Sequence, residues 1–579
     1  MLKMAYFHAY WALFCIKVAL VTDPCMGSGH ILVYAFDVLM DIYRSRGYTD
    51  RDAVQSIVTN NLFGLDIDDR AGQLAYFAIM MKACEYDRRF LRRNVQPHVC
   101  AIQESPRVDM KVLDAFGPDA PLAKKLYAAF IDAKEYGSIL HVDLTGAELQ
   151  RLSHRMMALH IPITADDLSH LGESMHSVDI MAPLVKQARI MTRKYDVVCT
   201  NPPYMGSSGM NEKLLKFTKD NYPDSKTDMF AVFIEKCNDF MRDVGYQAMV
   251  TQHAWMFLSS YEKLRNKIQN NELICMAHLG PRAFEEIGGE VVQTTTFILQ
   301  NIHIDGYVGC YARLIEPTTQ QGKQEMFLAE QNRYITQQEN FDKIPGCIFA
   351  YWLTNKFVNI LEQKGKLNAY GNARQGLATS DNRRFLRLWY EIDWMKIDFD
   401  CKSCSEIINR GTKWFPYNKA GNYRKWSSIN EYVVNYERDG EEIKETVMMK
   451  YPYLNNPGFV VKNTDTYFHH GITWNDVATG AFCCRYVPDG FIYDASGPMF
   501  FSENDFIMLG YFNSIVFQAF ANVICQGLHY STGHIPAIPY KAHDNEEIVS
   551  SLSKDNIAIS KQDWDSFETS WDFQCHPMI

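Results

Sequence analysis

The stretch that decides the fold lies near the start of the chain and reads Val18-Ala19-Leu20-Val21-Thr22-Asp23-Pro24-Cys25-Met26-Gly27-Ser28-Gly29-His30. Its apolar run predicts a buried strand that ends at Thr22, and the helical period over 31–44 predicts a helix after the glycines. Glycines at such a turn let the backbone approach a ligand closely, and the helix N-terminus offers free N–H donors. A plain tight connection between strand and helix has the same pattern, so this motif alone does not name the ligand.

The same alternation of short apolar runs and helical periods continues to about Gln300, which is typical of a parallel sheet with crossover helices. Residues 105–194 have a helical pattern and predict an insertion into this sheet. A polar break at Pro317–Gly322 precedes an aromatic-rich region with many Gly and Asn. We therefore expect a sheet domain over 1–316, a linker over 317–345 and a mixed α+β region over 346–579. Further predicted strands are Leu62–Asp66, His98–Ile102, Tyr195–Thr200, Gln247–Thr251, Ile274–His278 and Thr295–Gln300.

Composition narrows the class of protein. Of 579 residues, 47% are hydrophobic and 22% are charged, which excludes a disordered chain. The net charge of −10 argues against a chain wrapped in nucleic acid along its whole length, but it leaves room for a local basic groove. Fifteen irregularly spaced cysteines indicate cytosolic thiols. The apolar run Met4–Ile16 imitates a signal peptide but is too short to span a bilayer, so we expect a cytoplasmic protein without a membrane partner.

The second motif is Leu62-Phe63-Gly64-Leu65-Asp66-Ile67-Asp68. An acidic residue at the end of the second strand can accept hydrogen bonds from both hydroxyls of a ribose. Asp66 directly ends the apolar run and is the better candidate, whereas Asp68 is expected to sit at a helix N-terminus. A surface carboxylate without a ligand is the alternative for Asp66.

The third motif is Tyr195-Asp196-Val197-Val198-Cys199-Thr200-Asn201-Pro202-Pro203-Tyr204. Two prolines after a buried strand remove backbone donors and leave carbonyl groups without a ladder partner. The Asn201 side-chain carbonyl beside the Pro202 carbonyl makes two acceptors for one amino group, and Tyr204 can stack on the planar ring that carries it. A simple turn at the end of a strand is the alternative.

The three motifs, in this order, resemble those of the gamma-ordered adenine-N6 DNA methyltransferases, and within them the PglX-like methyltransferases of the BREX phage-exclusion systems. The resemblance extends from about Val18 to the end of the chain. Further matching stretches are 28–36, 201–206, Gly376-Leu377-Ala378-Thr379-Ser380-Asp381-Asn382, Lys413-Trp414-Phe415-Pro416-Tyr417-Asn418-Lys419 and Asp563-Trp564-Asp565-Ser566-Phe567-Glu568.

The resemblance implies a Rossmann-like sheet that binds S-adenosylmethionine, followed by a target-recognition region. It implies that 1–316 is the catalytic domain and that 346–579 binds double-stranded DNA with one adenine extruded. It also implies site-specific methylation of the N6 amino group for self-marking in phage defence, with other defence proteins as partners and no metal. The implied cofactor-binding residues are Asp23, Pro24, Gly27, Gly29, Asp66 and Glu104, and the implied catalytic residues are Asn201, Pro202, Pro203 and Tyr204.

The region over 410–426 contains five basic residues and no acidic one, with aromatic side chains between them. Positive charge for phosphates and aromatic faces for stacking are the pattern of a nucleic-acid groove. An ordinary solvated surface is the alternative. The predicted DNA-binding residues are Arg410, Lys413, Trp414, Lys419, Arg424 and Lys425.

One departure from the family pattern leaves other functions open. The family carries an upstream helical region with a Phe-Tyr-Thr-Pro-like motif, but only 22 residues precede Asp23 and none matches. We therefore expect a fragment of a longer protein. The alternatives are a truncated, non-catalytic remnant that binds DNA or defence partners, and an amino-methyltransferase that acts on RNA or on protein glutamine.

Overall fold

The apolar runs of the first half of the chain form the strands of one sheet. All seven predicted strands are present, and two more follow them. The computed structural model describes residues 19–159, 171–284, 292–362, 365–478, 480–525 and 529–576, so the apolar run Met4–Ile16 lies outside the described residues. The strands are β1 (Val21–Asp23), β2 (Leu62–Asp66), β3 (His98–Ala101), β4 (Tyr195–Thr200), β5 (Met241–Gln252), β6 (Glu272–Gly280), β7 (Thr294–Gln300), β8 (Val308–Arg313) and β9 (Arg333–Gln337).

The order of strands across this sheet is β3-β2-β1-β4-β5-β7-β6-β8-β9. The five strands from β3 to β5 are parallel. Strand β7 runs antiparallel to β5 and β6, and β8 pairs in parallel with β6. The chain order reverses on the two sides of β1, and the crevice at the carboxyl ends of strands beside such a switch point is where open α/β sheets bind ligands.

Residues 24–29, which connect β1 to the first helix and contain Gly27 and Gly29, are called the glycine turn. The helices that cover this sheet begin directly after it. In the first of them, buried residues recur at helical spacing (Leu32, Phe36, Leu39 and Tyr43), which explains why the segment forms a helix that packs on the sheet. The described parts of 105–194 form helices joined by loops, and they contain no β-strand before β4. The helices are α1 (His30–Ser45), α2 (Asp50–Ser56), α3 (Asp69–Tyr86), α4 (Ala120–Ala129), α5 (Ala133–Tyr136), α6 (Gly146–Leu159), α7 (Leu171–Met191), α8 (Glu212–Asn221), α9 (Met229–Phe240), α10 (Glu262–Ile268), α11 (Gln320–Leu328) and α12 (Glu339–Asp342).

The prediction that residues 317–345 are a linker is wrong. They contain α11, and they contain β9, which pairs antiparallel with β8 through Cys310 and Ile335. As an edge strand, β9 is only partly buried, so it lacks the continuous apolar run from which the inner strands were predicted. The chain divides into two compact units instead: Met1–Asp342 with Gly346–Trp352, and Lys343–Pro345 with Leu353–Ile579.

The second unit combines two mixed sheets with helices. One sheet has the order β10-β18-β15-β16-β13 and the other β11-β14-β12-β17. The strands are β10 (Gly371–Arg374), β11 (Leu386–Leu388), β12 (Trp414–Asn418), β13 (Trp426–Ser427), β14 (Tyr432–Asn435), β15 (Gly471–Trp474), β16 (Cys484–Val487), β17 (Ile492–Tyr493) and β18 (Met499–Ser502). The helices are α13 (Asn355–Glu362), α14 (Asn382–Phe385), α15 (Cys404–Arg410), α16 (Glu437–Lys450), α17 (Asp505–Phe512), α18 (Ile515–Ile524) and α19 (Glu546–Asp565).

No single helix of the described residues is long and apolar enough to cross a bilayer. The one pair of successive helices there that is long and apolar enough together, α17 with α18, is bent by 71° at the break between them. Nor do these residues bring three or more His, Cys, Asp or Glu side chains together as a metal site.

Candidate active site

The parallel strands bring the three sequence motifs to one edge of the sheet. Asp23 is the last residue of β1, Asp66 is the last residue of β2, and Asn201 follows the last residue of β4. Strand β1 pairs with β2 on one side and with β4 on the other, so the carboxyl ends of the three strands adjoin. Motifs separated by well over a hundred residues in the sequence therefore meet at the switch point.

Asp23 connects the glycine turn to the third motif. One of its carboxylate oxygens, Oδ1, accepts hydrogen bonds from the Cys25 N–H at 3.0 Å and from the Thr200 hydroxyl at 2.7 Å. The other, Oδ2, is buried and has no hydrogen-bond partner among the described residues. The side chain is only 1% exposed, and this burial raises the pKa of Asp23 to about 7, against the effect of its two hydrogen bonds. The turn and the Asn201 segment are thereby held through one buried carboxyl group.

Asp66 holds the glycine turn from the other side. Its Oδ2 accepts a hydrogen bond from the Gly27 N–H at 2.8 Å, and its Oδ1 accepts one from the Asp68 N–H at 2.9 Å. A carboxylate has about four acceptor positions, so two remain for a ligand. The expectation for Asp68 is confirmed, because it caps α3 by accepting from the N–H groups of Arg70 and Ala71.

Glycine is required in this turn for two different reasons. Gly27 has a φ of +52°, with open space where a side chain would start. Gly29 has a φ of +85°, and a Cβ there would lie 3.0 Å from the Cα of Ala75 on α3. The first glycine thus serves backbone conformation, whereas the second also permits close contact between α1 and α3.

The segment after β4 places its four residues differently. Asn201 and Pro203 are exposed at the edge of the sheet, whereas Pro202 is buried. The Tyr204 hydroxyl lies 3.4 Å from Asn201 Oδ1 and 3.3 Å from the carbonyl oxygen of Val250 on β5. Burial raises the pKa of Tyr204 above its usual range, so the hydroxyl stays protonated and can donate. Asn201 and Tyr204 are therefore neighbours, as the motif predicts.

Asp228 is a site residue that sequence reasoning did not single out. It caps α9 by accepting from the Phe230 N–H at 3.3 Å, and it also accepts from the Met205 N–H at 3.1 Å. The carboxylate thus fixes the backbone just after Tyr204, whose ring lies edge-on to that of Phe230 at 6.1 Å. The signal for it was present in the sequence, because Asp directly before an apolar helical run is a helix-capping pattern.

Two predicted cofactor residues have different surroundings. The Pro24 carbonyl accepts a hydrogen bond from the buried Ser138 hydroxyl at 2.7 Å, so the region between β3 and β4 contacts the glycine turn. Glu104 lies beyond the end of β3 and is exposed. The neighbouring Gln103 is instead held by Gln187, whose side-chain oxygen accepts from the Gln103 N–H at 2.7 Å.

The predicted DNA-binding residues of the second unit largely have acidic partners. Arg410 pairs with Asp398 and Glu406, and Lys413 lies 3.8 Å from Glu437. These carboxylates come from outside the 410–426 stretch, so the excess of positive charge seen in the sequence is reduced in the folded unit.

Arg424 and Lys425 are anchored as well. Arg424 is only 19% exposed and pairs with Asp563 at 2.9 Å, and the Lys425 ammonium donates to the Asn513 carbonyl at 3.1 Å. Lys419 lies over the ring of Tyr432 at 4.8 Å, and Trp414 is half-buried in β12. The stretch therefore contributes to the stability of the second unit, which the interpretation as a groove did not anticipate.

The comparisons with known proteins first give a class of similar proteins, the restriction-modification methylases. Residues 60–284 match the family model described as Eco57I restriction-modification methylase. The fold resembles that of the Type IIL restriction-modification enzyme MmeI in complex with DNA, with a TM-score of 0.51 and 10% identity. That alignment covers 96% of this chain and 67% of MmeI, and it shows the fold alone.

Two curated relatives are similar in sequence over most of this chain. The chain is 37% identical to the adenine-specific methyltransferase PglX of Lacticaseibacillus casei (strain Zhang) and 37% identical to the adenine-specific methyltransferase BrxX of Escherichia coli O9:H4 (strain HS). Each match covers 96% of this chain and 47% of the relative, so the chain spans about half the length of the relatives it matches. The resemblance drawn from the motifs is confirmed: the chain is a relative of the PglX-like adenine-specific methyltransferases.

Proposed function

We propose that this chain transfers a methyl group from S-adenosylmethionine to the N6 amino group of adenine in DNA and thereby marks the DNA in phage defence. One observation carries the proposal: the buried hydrogen bond between Thr200 and Asp23, which couples the glycine turn to the Asn201–Tyr204 segment. A cofactor held by the turn and an amino group held by that segment would lie side by side, as methyl transfer requires.

The residues at the strand ends suit such a cofactor. The free acceptor positions of Asp66 fit the two hydroxyls of a ribose, and the open turn at Gly27 admits a ligand close to the backbone. The unpartnered Oδ2 of Asp23 is an acceptor for a donor on the methionine part. Glu104 is the proposed residue beside the adenine ring of the cofactor. When bound, S-adenosylmethionine supplies an activated sulfonium methyl group.

The chain's own contribution is to hold and polarise the target amino group. An adenine amino nitrogen is a poor nucleophile because its lone pair is delocalised into the ring. Asn201 Oδ1 and the Pro202 carbonyl would accept its two hydrogens and favour a more pyramidal nitrogen with an available lone pair. Pro203 keeps the backbone in the conformation that presents these acceptors, and Tyr204 would stack on the extruded base. Much of the rate would come from this positioning and from electrostatics.

The two units suggest a division of labour. We assign catalysis to the first unit, as a Rossmann-like methyltransferase sheet with a helical insertion, and target recognition on double-stranded DNA to the second. The family relationship and the likeness in fold to a DNA-bound modification enzyme support this assignment. Contacts with other phage-defence proteins are part of the same proposal.

The first test is calorimetry of S-adenosylmethionine binding to the 579-residue chain, with Asp66→Ala as the control. We expect saturable binding that the substitution weakens strongly. A folded chain that binds no cofactor would refute the catalytic proposal and favour a DNA- or partner-binding remnant.

The second test is transfer of a radiolabelled methyl group to unmethylated bacterial DNA, followed by mass spectrometry of the digested nucleosides. We expect N6-methyladenine with the parent chain and none with Asn201→Ala. Label that enters RNA or a protein glutamine, but not DNA, would identify the alternative substrates and overturn the assignment.

A further inference from the structure

A loop of the second unit exposes aromatic side chains between two lysines. Residues 449–463, here called the basic–aromatic loop, run from the end of α16 and begin Met449-Lys450-Tyr451-Pro452-Tyr453. Tyr453 is 77% exposed and Phe459 is 65% exposed, although both rings are large and apolar. Lys450 and Lys462 lie on either side of them in the chain. Exposed aromatic groups rimmed by polar ones indicate an interaction surface.

Hydrogen bonds hold this loop against the segment 374–383. The Lys462 ammonium donates to the side-chain oxygen of Gln375 at 2.7 Å, and the Asn463 amide donates to the Gln375 carbonyl at 2.8 Å. At the other end, the Lys450 ammonium donates to the Ser380 carbonyl at 2.7 Å. Each lysine ammonium thus uses one of its three N–H donors in a hydrogen bond to a neutral oxygen. Its other two donors can bind a ligand.

Positive charge on these two segments is not neutralised by ion pairs. Among the described residues, none of the four cations Arg374, Arg383, Lys450 and Lys462 lies within 4 Å of a carboxylate as an ion pair. Acidic side chains in the same region include Asp381, which caps α14, the exposed Asp465, Asp494 beside Leu377, and Glu442, which pairs with Arg384. This contrasts with Arg410 and Arg424, whose charges are paired.

We propose that the basic–aromatic loop, with Arg374 and Arg383, is a contact surface for DNA. The four cations would bind phosphates of the backbone, and Tyr453 and Phe459 would stack on bases or sugars that become accessible where the duplex opens around the extruded adenine. A cationic surface with interleaved aromatic rings binds both the backbone and the faces of unstacked bases. This inference rests on the proposed function and names the surface through which its substrate is held.

The lysines are tested by fluorescence anisotropy with a labelled duplex of about 30 base pairs at several salt concentrations. For Lys450→Ala with Lys462→Ala we expect weaker binding, and a slope of log affinity against log salt that is shallower by about 2, because each phosphate contact contributes about 0.9. The comparison variant is Lys413→Ala with Lys419→Ala, from the stretch that the sequence predicts to bind DNA, and we expect its slope to change less than that of the Lys450 and Lys462 variant. Lys450→Arg with Lys462→Arg keeps both positive charges and should therefore keep the slope of the parent chain.

The aromatic residues are tested separately. Tyr453→Ala with Phe459→Ala should weaken binding by about tenfold or more without changing the salt slope, since stacking releases no counterions. Urea unfolding of each variant checks that the second unit, which carries these substitutions, is folded.

The possible outcomes separate this proposal from the function on which it rests. If the parent chain binds no duplex, the proposed function itself fails. If the parent binds but the Lys450 and Lys462 variant keeps the slope of the parent, this proposal is overturned, and a shallower slope for the Lys413 and Lys419 variant would then assign the DNA to the 410–426 stretch. Equal affinity of the parent and the Tyr453 and Phe459 variant would overturn the stacking role.

Discussion

Replacement of Asp23 by asparagine should change how stability depends on pH. Burial raises the pKa of Asp23 from 3.8 to about 7 in the folded chain. Since the folded pKa of this acid is above the unfolded one, its contribution to stability is fully present below about pH 4 and is lost as the pH rises through about 7. This change in the pKa of Asp23 corresponds to about 4 kcal/mol in the free energy of unfolding. About 2–3 kcal/mol of that stability is lost between about pH 5 and about pH 8.

The asparagine side chain of the Asp23→Asn variant has no such titration, and its oxygen can still accept from Cys25 and Thr200. We therefore expect the stability of the parent to fall, relative to that of the variant, by about 2–3 kcal/mol between about pH 5 and about pH 8. Urea unfolding of both proteins at the two pH values measures this, because the titration of all other groups cancels in the comparison. Parallel pH profiles for parent and variant would refute the reasoning that a buried, partly unsatisfied carboxyl group joins the turn to β4.

Three further predictions concern the site and the second unit. Asn201→Ala should lower methyl transfer by at least about 100-fold while cofactor affinity, measured by calorimetry, stays within a few fold; equal loss of both would contradict the role assigned to it. Gly29→Ala should destabilise the chain by more than Gly27→Ala, since both have positive φ but only the former meets α3, and melting temperatures compare the two directly. Arg424→Ala should lower the stability of the second unit by about 1–3 kcal/mol, because the largely buried guanidinium donates to the Ser560 carbonyl as well as to Asp563, and unchanged urea unfolding would show that these contacts contribute little.

Most of the candidate site could be predicted from local sequence. The strands that carry the site, β1, β2 and β4, are inner parallel strands, and because such strands are buried on both faces they appear as apolar runs in the sequence. The residues that follow such runs lie at one edge of the sheet, so the positions of Asp23, Asp66 and Asn201 followed from the strand ends. Strands β8 and β9 were missed because exposed or half-buried residues interrupt their apolar pattern: β8 begins at the exposed Val308, and no residue of the edge strand β9 is fully buried.

Charge in the second unit shows where sequence reasoning stops. The cationic run over 410–426 indicated a groove, yet Arg424 pairs with Asp563, which lies 139 positions away in the chain. Local composition contains no information on which distant carboxylate will meet an arginine. The cations on 374–383 and 450–462 that lack an ion pair among the described residues became visible only after folding placed the two segments together.

By itself, the sequence of this protein determined seven strands of the first sheet, the order of the motifs and the resemblance to the PglX-like methyltransferases, because these depend on short-range patterns of apolar, glycine and proline residues. Only the tertiary structure decided which groups meet: Thr200 with Asp23 across 177 positions, and the Gly27 N–H with Asp66. It also decided which cations have no ion pair with another of the described residues. The physical reason is that hydrogen bonds and ion pairs act over a few ångströms, whatever the separation of their partners along the chain.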